Sequence, residues 1–553
     1  MNRRIALALS DAVGPAAWRT MMRPVRHLSS ARPCPRRALI ATTIASLLFL
    51  GMATYRLEEP GLYYDEVHQA VGAFAWVGRP TSMFSILPIA SKPTFNMPYS
   101  GAIKTTMYGL YLRVSGHRFT IVGWRMVGIL FTAIGIGIFL LLSSQQLSPP
   151  AQWLFVALIL SDVNLLLQSR HDWGPVTLAF GLRMLFLGLW LRWFQSHMSP
   201  LRCALLGSVV GVAIFEKLSS VVLLGPLSVV VLSARGVGWP SRAAGAALGV
   251  GIGMAPVLIA NLYWLTHEGT LLALISTTPP IQSVIDFSGS FLALGNGGVE
   301  RRFMFTSAWI PWLEWVEGLS MAGLIVAAPV WAWRRGPRHQ EARIAAIAIV
   351  SYAMIAIALR WLPAATTDNH WIIGTPFQYL GIAVTAASML PLDQRRAPPS
   401  RTPVVFGALV VVMLAARMPV MAMTMEAIHH RRYTPSWHPS VNTGVQFAAS
   451  RGDATAIVAA DWGTATQVFC LANGRADFVF EPFWDYRGPE SLSPILDGKR
   501  EVVVALLRPR TNVRPEATER ILADMAALDD WSEISLDASV QELPAIEIRV
   551  YRR

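Results

Sequence analysis

Charge is what this chain has least of. Asp, Glu, Lys and Arg make up 15% of its 553 residues, against roughly a quarter in an ordinary soluble domain. Hydrophobic residues fill 53% and the mean hydropathy is +0.42. A chain of that make-up cannot hide its apolar surface from water in one core, so lipid is the solvent for much of it. Cysteine is also scarce. Cys34, Cys203 and Cys470 stand far apart, which excludes a disulfide framework and a CxxC metal site. No internal repeat or low-complexity stretch is evident. The net charge of +13 does not suit a nucleic-acid binder, because the Arg residues are spread between apolar runs rather than gathered in a basic domain. We read the basicity as topogenic.

A membrane span needs about 20 apolar residues, and about eleven runs approach that length. They are Ala38 to Tyr55, Ile121 to Leu142, Ala151 to Leu167, Val176 to Phe194, Leu201 to Phe215, Leu218 to Ser233, Ala243 to Leu265, Val316 to Trp333, Ile344 to Leu362, Trp371 to Leu390 and Pro403 to Met423. The fifth and sixth are short and meet at Glu216 and Lys217. Eight Arg and a single acid, Asp11, precede the first run. The positive-inside rule therefore puts the leader 1–37 in the cytoplasm. Alternate counting then keeps the segments of Arg192 and Arg202, of Arg235 and Arg242, of Arg334, Arg335, Arg338 and Arg343, and of Arg395, Arg396 and Arg401 inside as well. The long basic leader, with no small-x-small site before Tyr55, favours a retained anchor over a cleaved signal peptide. Arg301 with Arg302, and His429 to Arg432, fall outside; they either serve phosphates there or mark a local error in the map.

The expected organisation is a polytopic α-helical membrane domain over 38–425, in the inner membrane with its N-terminus cytoplasmic. Two large outer loops, 56–120 and 266–315, interrupt it, and a periplasmic tail, 426–553, follows it. In the first loop, Val67 to Val77 and Met107 to Val114 are too short or too polar to span and suit helices lying along the membrane surface. The tail has β-rich runs at Thr455 to Ala460, Ala476 to Phe480, Glu501 to Leu507 and Ile546 to Tyr551, and a helical run at Pro515 to Leu528. It reads as a small soluble α/β domain.

Ionisable residues gather at one depth. The first loop opens with Tyr63, Tyr64, Asp65, Glu66, Val67 and His68. A carboxylate there can take a proton from a hydroxyl or hold a metal, and an aromatic pair can pack on a sugar ring. The bland alternative is a helix start whose acids favour the macrodipole. The next outer turn carries Ser169, Arg170, His171, Asp172 and Trp173. Lys92, Tyr99, Lys104 and Arg125 come to the same face, and a base with cations for a departing phosphate is what glycosyl transfer needs. Asp162 and Arg183 lie at matching depth in neighbouring spans and are expected to pair, since a lone charge at mid-membrane costs about 3 kcal/mol. Gly249, Gly251 and Gly253 sit within a span, where they permit close helix packing rather than nucleotide binding.

This plan resembles the GT-C glycosyltransferases, particularly the bacterial aminoarabinose transferase and protein O-mannosyltransferase-like branch. The shared features are a cytoplasmic basic leader, a first span, an outer loop with an Asp-Glu pair, a second acidic turn and a soluble C-terminal domain. The run from Pro98 to Lys104 is similar to a substrate-loop segment of related members. The resemblance implies an inverting transfer from a polyprenyl-phosphate sugar to a lipid, glycan or protein acceptor. Asp65 would be the general base, Glu66 the neighbour that supports the loop and Asp172 the acid of the second outer turn, the three making up the catalytic set. It implies Lys92, Lys104, Arg125, Arg170 and Lys217 for the donor phosphate, and Tyr64, His68, Tyr99, His171 and His370 for substrate. No cofactor is implied, though the acidic loops leave a divalent metal open. Two other classes remain: a transporter, disfavoured because the acids lie chiefly at one face and no repeat is evident, and a polymer ligase or accessory protein, which leaves the Asp-Glu pair unexplained.

Overall fold

In lipid every backbone amide must bond within its own segment, so the apolar runs fold as helices. The structure, a computed structural model, describes residues 35–81, 87–89, 92–272, 292–306, 310–336, 339–362, 368–389, 401–451, 454–475, 478–508 and 514–553. The leader to residue 34 with Cys34, positions 273–291 and 307–309 of the second large loop, and Arg338, Arg395 and Arg396 lie outside the described residues.

Among the described residues, five helices are long and apolar enough to cross a membrane: Ile121–Ser143, Val176–Trp193, Pro311–Arg335, Gln340–Trp361 and Pro403–His429. Two bent pairs raise the number to seven. The other expected spans appear as shorter helices, including Ala38–Thr54, Leu218–Ser233, Pro200–Glu216 and Thr375–Met389.

The bends have local causes. The run expected from Ala151 to Leu167 breaks into Pro149–Leu160 and Val163–His171, inclined at 62°. Asp162 sits at the break and caps the second half, its Oδ1 accepting from the Leu165 amide at 2.7 Å. The pair Trp239–Gly253 and Ala255–Glu268, inclined at 68°, breaks ahead of Pro256, which has no amide to continue the helix. Lys217 separates the helix Pro200–Glu216 from Leu218–Leu223 because the first loop binds the backbone there. Ser100 bridges to Lys217, and the Leu218 amide donates to the Tyr99 carbonyl at 3.0 Å.

Asp162 does not pair with Arg183. Its Oδ2 accepts from the Tyr379 hydroxyl at 2.7 Å, so capping and a phenol replace the expected cation. Close by, Arg417 binds Glu317 at 2.6 Å and reaches the Leu158 carbonyl at 3.2 Å, on the last turn before the break. Arg183 is buried over the Phe180 ring, and its Nε and Nη2 have no hydrogen-bond partner among the described residues. The glycine expectation holds for two of three positions. A Cβ at Gly249 or Gly253 would collide with the backbone of Ala204 or Ser208, whereas Gly251 faces open space.

The first loop folds onto the tail. It contains the helix Tyr64–Val71, a 3-10 turn Gly72–Val77, an antiparallel sheet of β1 (Leu87–Ile89), β2 (Lys92–Met97) and β3 (Ser100–Gly101), and the helix Ile103–Val114. That last helix exposes Met107, Leu110, Tyr111 and Val114. The i, i+3, i+4, i+7 spacing makes one apolar face, as a helix lying on a membrane surface requires.

The tail is α/β as expected, with β4 (Thr455–Ala459), β5 (Val479–Phe480), β6 (Glu501–Leu507), β7 (Ser532–Ile534) and β8 (Ile546–Arg552) in the order β5-β4-β6-β8-β7. β4 runs parallel to β5 and β6, and β8 is antiparallel to β6 and β7. Its inner face shares one core with the first loop, where Leu62, Val67, Phe74 and Tyr108 pack with Val445, Phe469, Val503 and Ile546. Loop and tail therefore form one layer over the helices.

Candidate active site

Two adjacent carboxylates start the helix Tyr64–Val71, the local structure that the macrodipole argument anticipates. Their surroundings differ sharply. Glu66 is fully buried, and Arg125 grips it with two bonds, Nε to Oε1 at 2.7 Å and Nη2 to Oε2 at 2.9 Å. The other Arg125 donors go to the carbonyls of Leu57, Pro60 and Gly61. Burial pushes the Glu66 carboxyl up, but Arg125 and His171 outweigh it and bring it down to about 2. Arg125 thus ties the loop to the end of the first helix and has no donor spare for a phosphate, contrary to expectation.

Asp65 is half-buried. Its Oδ2 accepts one hydrogen bond, from the Trp173 indole at 2.7 Å, and Oδ1 has no hydrogen bond among the described residues. Burial raises its carboxyl above the usual range, opposed by the Trp173 bond and the Lys217 charge. One member of the Asp-Glu pair is locked, and the other is poised and open.

The second acidic turn is structural. Asp172 is buried in the left-handed region at φ 46°. Its Oδ1 accepts from the amides of Val176 and Thr177, both at 2.9 Å. Its Oδ2 meets Lys104 Nζ at 2.8 Å, and that ammonium lies 4.0 Å from the centre of the Trp124 ring. With both oxygens engaged, Asp172 supports the site rather than taking a proton. Arg170 hydrogen-bonds the carbonyls of Met52, Ala53, Tyr55 and Arg56, at the end of the first helix. Lys92 lies over Trp76, 5.0 Å from the ring centre. These three expected contacts to substrate or phosphate are spent on the fold instead.

Lys217 differs. It is buried, its ammonium forms no hydrogen bond or ion pair among the described residues, and it lies in the electrostatic reach of Asp65, Asp172 and Arg183. Glu216, its neighbour in sequence, accepts from the Ile103 amide at 3.2 Å. Lys217, a buried cation whose side chain has no acceptor among the described residues, therefore stands within electrostatic reach of Asp65, and Arg183 within reach of Lys217. Sequence reasoning named Lys217 for the donor phosphate and paired Arg183 with Asp162, which bonds Tyr379 instead.

The expected substrate groups divide similarly. Tyr99 is exposed, and its phenol is raised by burial and by the neighbouring Asp65. His68 is buried with Nε2 on the Asn96 carbonyl at 3.1 Å, while Nδ1 has no partner among the described residues; burial lowers its pKa. His171 is buried, 3.9 Å from Glu66 and edge-on to Trp437. His370 is half-buried in the short helix Asp368–Trp371, and the bonds that define the acidic site do not include it. His429 to Arg432, for which phosphate contact or a local error in the map stood open, hold the chain just past the first helix: His429 bonds Tyr55 at 2.7 Å and Arg431 bonds Glu59 at 3.0 Å.

Two aromatic groups flank Asp65. On one side Tyr63, Trp173, Phe303 and Trp437 stack or meet edge-on, with Tyr63 4.9 Å from Trp437 and Trp173 4.6 Å from Phe303. On the other, Tyr64 lies 4.4 Å from Trp462. Phe303, Trp437 and Trp462 come from distant segments, and sequence reasoning missed them. Trp462 alone left a signal, as the residue just past a predicted strand end. Among the described residues no group of three or more His, Cys, Asp or Glu is placed to hold a metal.

The Glu66–Arg125 pair yields a stability prediction. Arg125→Ala strands a buried carboxylate and should cost about 3–5 kcal/mol. The lowered Glu66 carboxyl adds stability present above its ordinary 4.5 and lost as pH falls through about 2. Thermal midpoints of purified Arg125→Ala and of Glu66→Gln with Arg125→Met should show the single change as the more damaging.

The apolar helices, the first loop and the α/β tail fused to it are those of a polytopic membrane protein. Among solved structures the chain is similar to apo ArnT from Cupriavidus metallidurans, at 10% identity and a TM-score of 0.58, over 92% of this chain and 97% of that one. It is also similar to the arabinofuranosyltransferase AftD from Mycobacteria, at 14% identity and a TM-score of 0.51, over 95% of this chain and 42% of that one. Both are GT-C glycosyltransferases; at these identities the likeness is one of fold. No family model and no curated protein matches the chain.

Proposed function

We propose that the chain transfers a sugar from a polyprenyl-phosphate carrier to an acceptor hydroxyl on the periplasmic side of the inner membrane. The observation that carries this reading is the division of labour between neighbours: Glu66 is locked on Arg125, while Asp65 is half-open, raised, and within electrostatic reach of Lys217. Asp65 removes the acceptor's hydroxyl proton as general base. The oxygen attacks the anomeric carbon, the bond from that carbon to the phosphate oxygen breaks, and the polyprenyl phosphate leaves with the electron pair. The configuration inverts. Lys217 and Arg183 offset the charge of the departing phosphate. The donor set at this site is carboxylate with ammonium and guanidinium, which suits an anion, and the reading needs no metal.

A transporter would place its ionisable groups around a central cavity between repeated halves, whereas here the open acid lies in a loop. Lipid extracts test the reading. A strain without the protein should accumulate one glycosyl polyprenyl phosphate that the complemented strain does not. Unchanged lipid-linked sugars would count against it.

A further inference from the structure

The tail sheet has its switch point beside the candidate active site. β4 is flanked by two parallel partners, β5 and β6. The chain leaves β4 through the helix Thr464–Leu471 to β5, and returns later to β6 on the other side. In open α/β sheets the crevice beyond the carboxyl ends at such a fork is where ligands bind. Here the carboxyl end of β4 runs into Asp461, Trp462 and Gly463, and that of β5 into Glu481.

Asp461 holds the fork together, accepting from the Leu507 amide and the Thr464 hydroxyl. The other residues face the first loop. The Trp462 ring is 4.4 Å from Tyr64, tilted by 47°, and both side chains are half-buried. Gly463 adopts φ +94°, and a methyl group there would lie 2.6 Å from Tyr64 Cδ2, so the tail's backbone rests directly on that ring. Glu481 accepts from the Gly463 amide through Oε1 at 3.2 Å, and Oε2 has no bond among the described residues. Its carboxylate lies within electrostatic reach of Tyr64, the residue next to Asp65. A half-exposed indole, a phenol and a carboxylate with one oxygen to spare thus converge one residue from the base, and none is needed for the displacement itself.

We propose that Trp462, Tyr64 and Glu481 form the acceptor subsite, and that the acceptor is a saccharide. The aromatic faces cover the apolar C–H face of a sugar ring, Glu481 Oε2 accepts from one hydroxyl, and a neighbouring hydroxyl is delivered to Asp65. This rests on Asp65 being the base, and it gives the tail a role in choosing the acceptor. A concave site with an aromatic wall and a few placed polar groups is the usual build for such recognition.

The test uses the full-length protein in detergent with the labelled glycosyl polyprenyl phosphate. Two acceptors are offered separately: oligosaccharides released from the envelope polysaccharide, and a Ser/Thr peptide. Glu481→Gln and Trp462→Ala should raise the KM for the oligosaccharide by about tenfold or more, the loss of a charged hydrogen bond or a packed ring. Trp462→Phe should recover most of the loss. Glu481→Gln is nearly isosteric and keeps the test decisive if Trp462→Ala folds poorly. Wild-type oligosaccharide KM in both variants, or transfer to the peptide alone, would overturn the proposal. Calorimetric binding of the oligosaccharides separates it from the reaction: Trp462-dependent binding by a protein with no transfer would support the subsite and sink the transferase reading instead.

Discussion

Asp65→Asn should cut sugar transfer by roughly 100- to 10,000-fold and, at neutral pH, leave the protein at least as stable as the wild type. The substitution keeps size and lets the Trp173 indole retain an oxygen acceptor, but it removes the proton-accepting site. The stability arm follows from the sign of the shift. Burial raises the Asp65 carboxyl above its ordinary 3.8, so the folded protein holds that proton more tightly than the unfolded chain does. The corresponding stability is complete below the unfolded value and is lost as pH rises through the folded one. The ionised form of Asp65 is therefore a net cost to the fold, which Asn removes. Transfer should fall on the acid side as Asp65 protonates, at a pH above that of an ordinary carboxylate. Turnover and thermal midpoints of the purified variant check both arms. More than about a tenth of wild-type turnover would contradict a base role on those magnitudes.

Lys217→Met and Arg183→Met should each slow transfer by about 100-fold or more, the typical loss when one preorganised group facing developing charge is removed. Unlike Asp65→Asn, they should also weaken donor binding, because a cation holds the phosphate before as well as during departure. Stability distinguishes this from a structural role. Removing a partner from a buried ion pair destabilises the protein, as expected for Arg125, whereas removing a buried cation that has no hydrogen-bonded acceptor relieves a desolvation cost. The thermal midpoints of these two variants should hold or rise while activity falls. A lowered midpoint with wild-type donor KM would assign Lys217 and Arg183 to the fold.

Much of the architecture was legible because two kinds of run are plain in the chain. Long apolar runs pointed to the membrane helices, and short β-rich runs pointed to four of the tail strands: Glu501 to Leu507 is β6 and Ile546 to Tyr551 is most of β8. Less visible was what interrupts a span. The bends at Asp162 and Met254 depend on a side-chain cap and on Pro256, and the break at Lys217 is imposed by a loop more than a hundred residues earlier. Pairing by depth also failed. Asp162 and Arg183 match along their helices, but depth does not say which way a side chain turns, and Asp162 turned to Tyr379. At the site the Asp-Glu pair stood out, yet sequence alone could not tell a locked carboxylate from an open one. That distinction belongs to Arg125, Trp173 and their carbonyl and indole partners. The fusion of loop and tail around Phe74 and Phe469, and hence the place of Trp462, is a long-range contact with no local signature.

The central claim is that one half-open carboxylate drives sugar transfer without an ion gradient. It is tested most directly by reconstituting wild-type and Asp65→Asn protein in vesicles of defined lipid, with the labelled glycosyl polyprenyl phosphate and an ionophore present to collapse gradients. The account predicts that the wild type moves label to the acceptor and frees polyprenyl phosphate one for one, while the variant binds the carrier and does neither. Transfer by the variant at the wild-type rate, or wild-type movement of intact carrier across the bilayer with its sugar still attached, would contradict it.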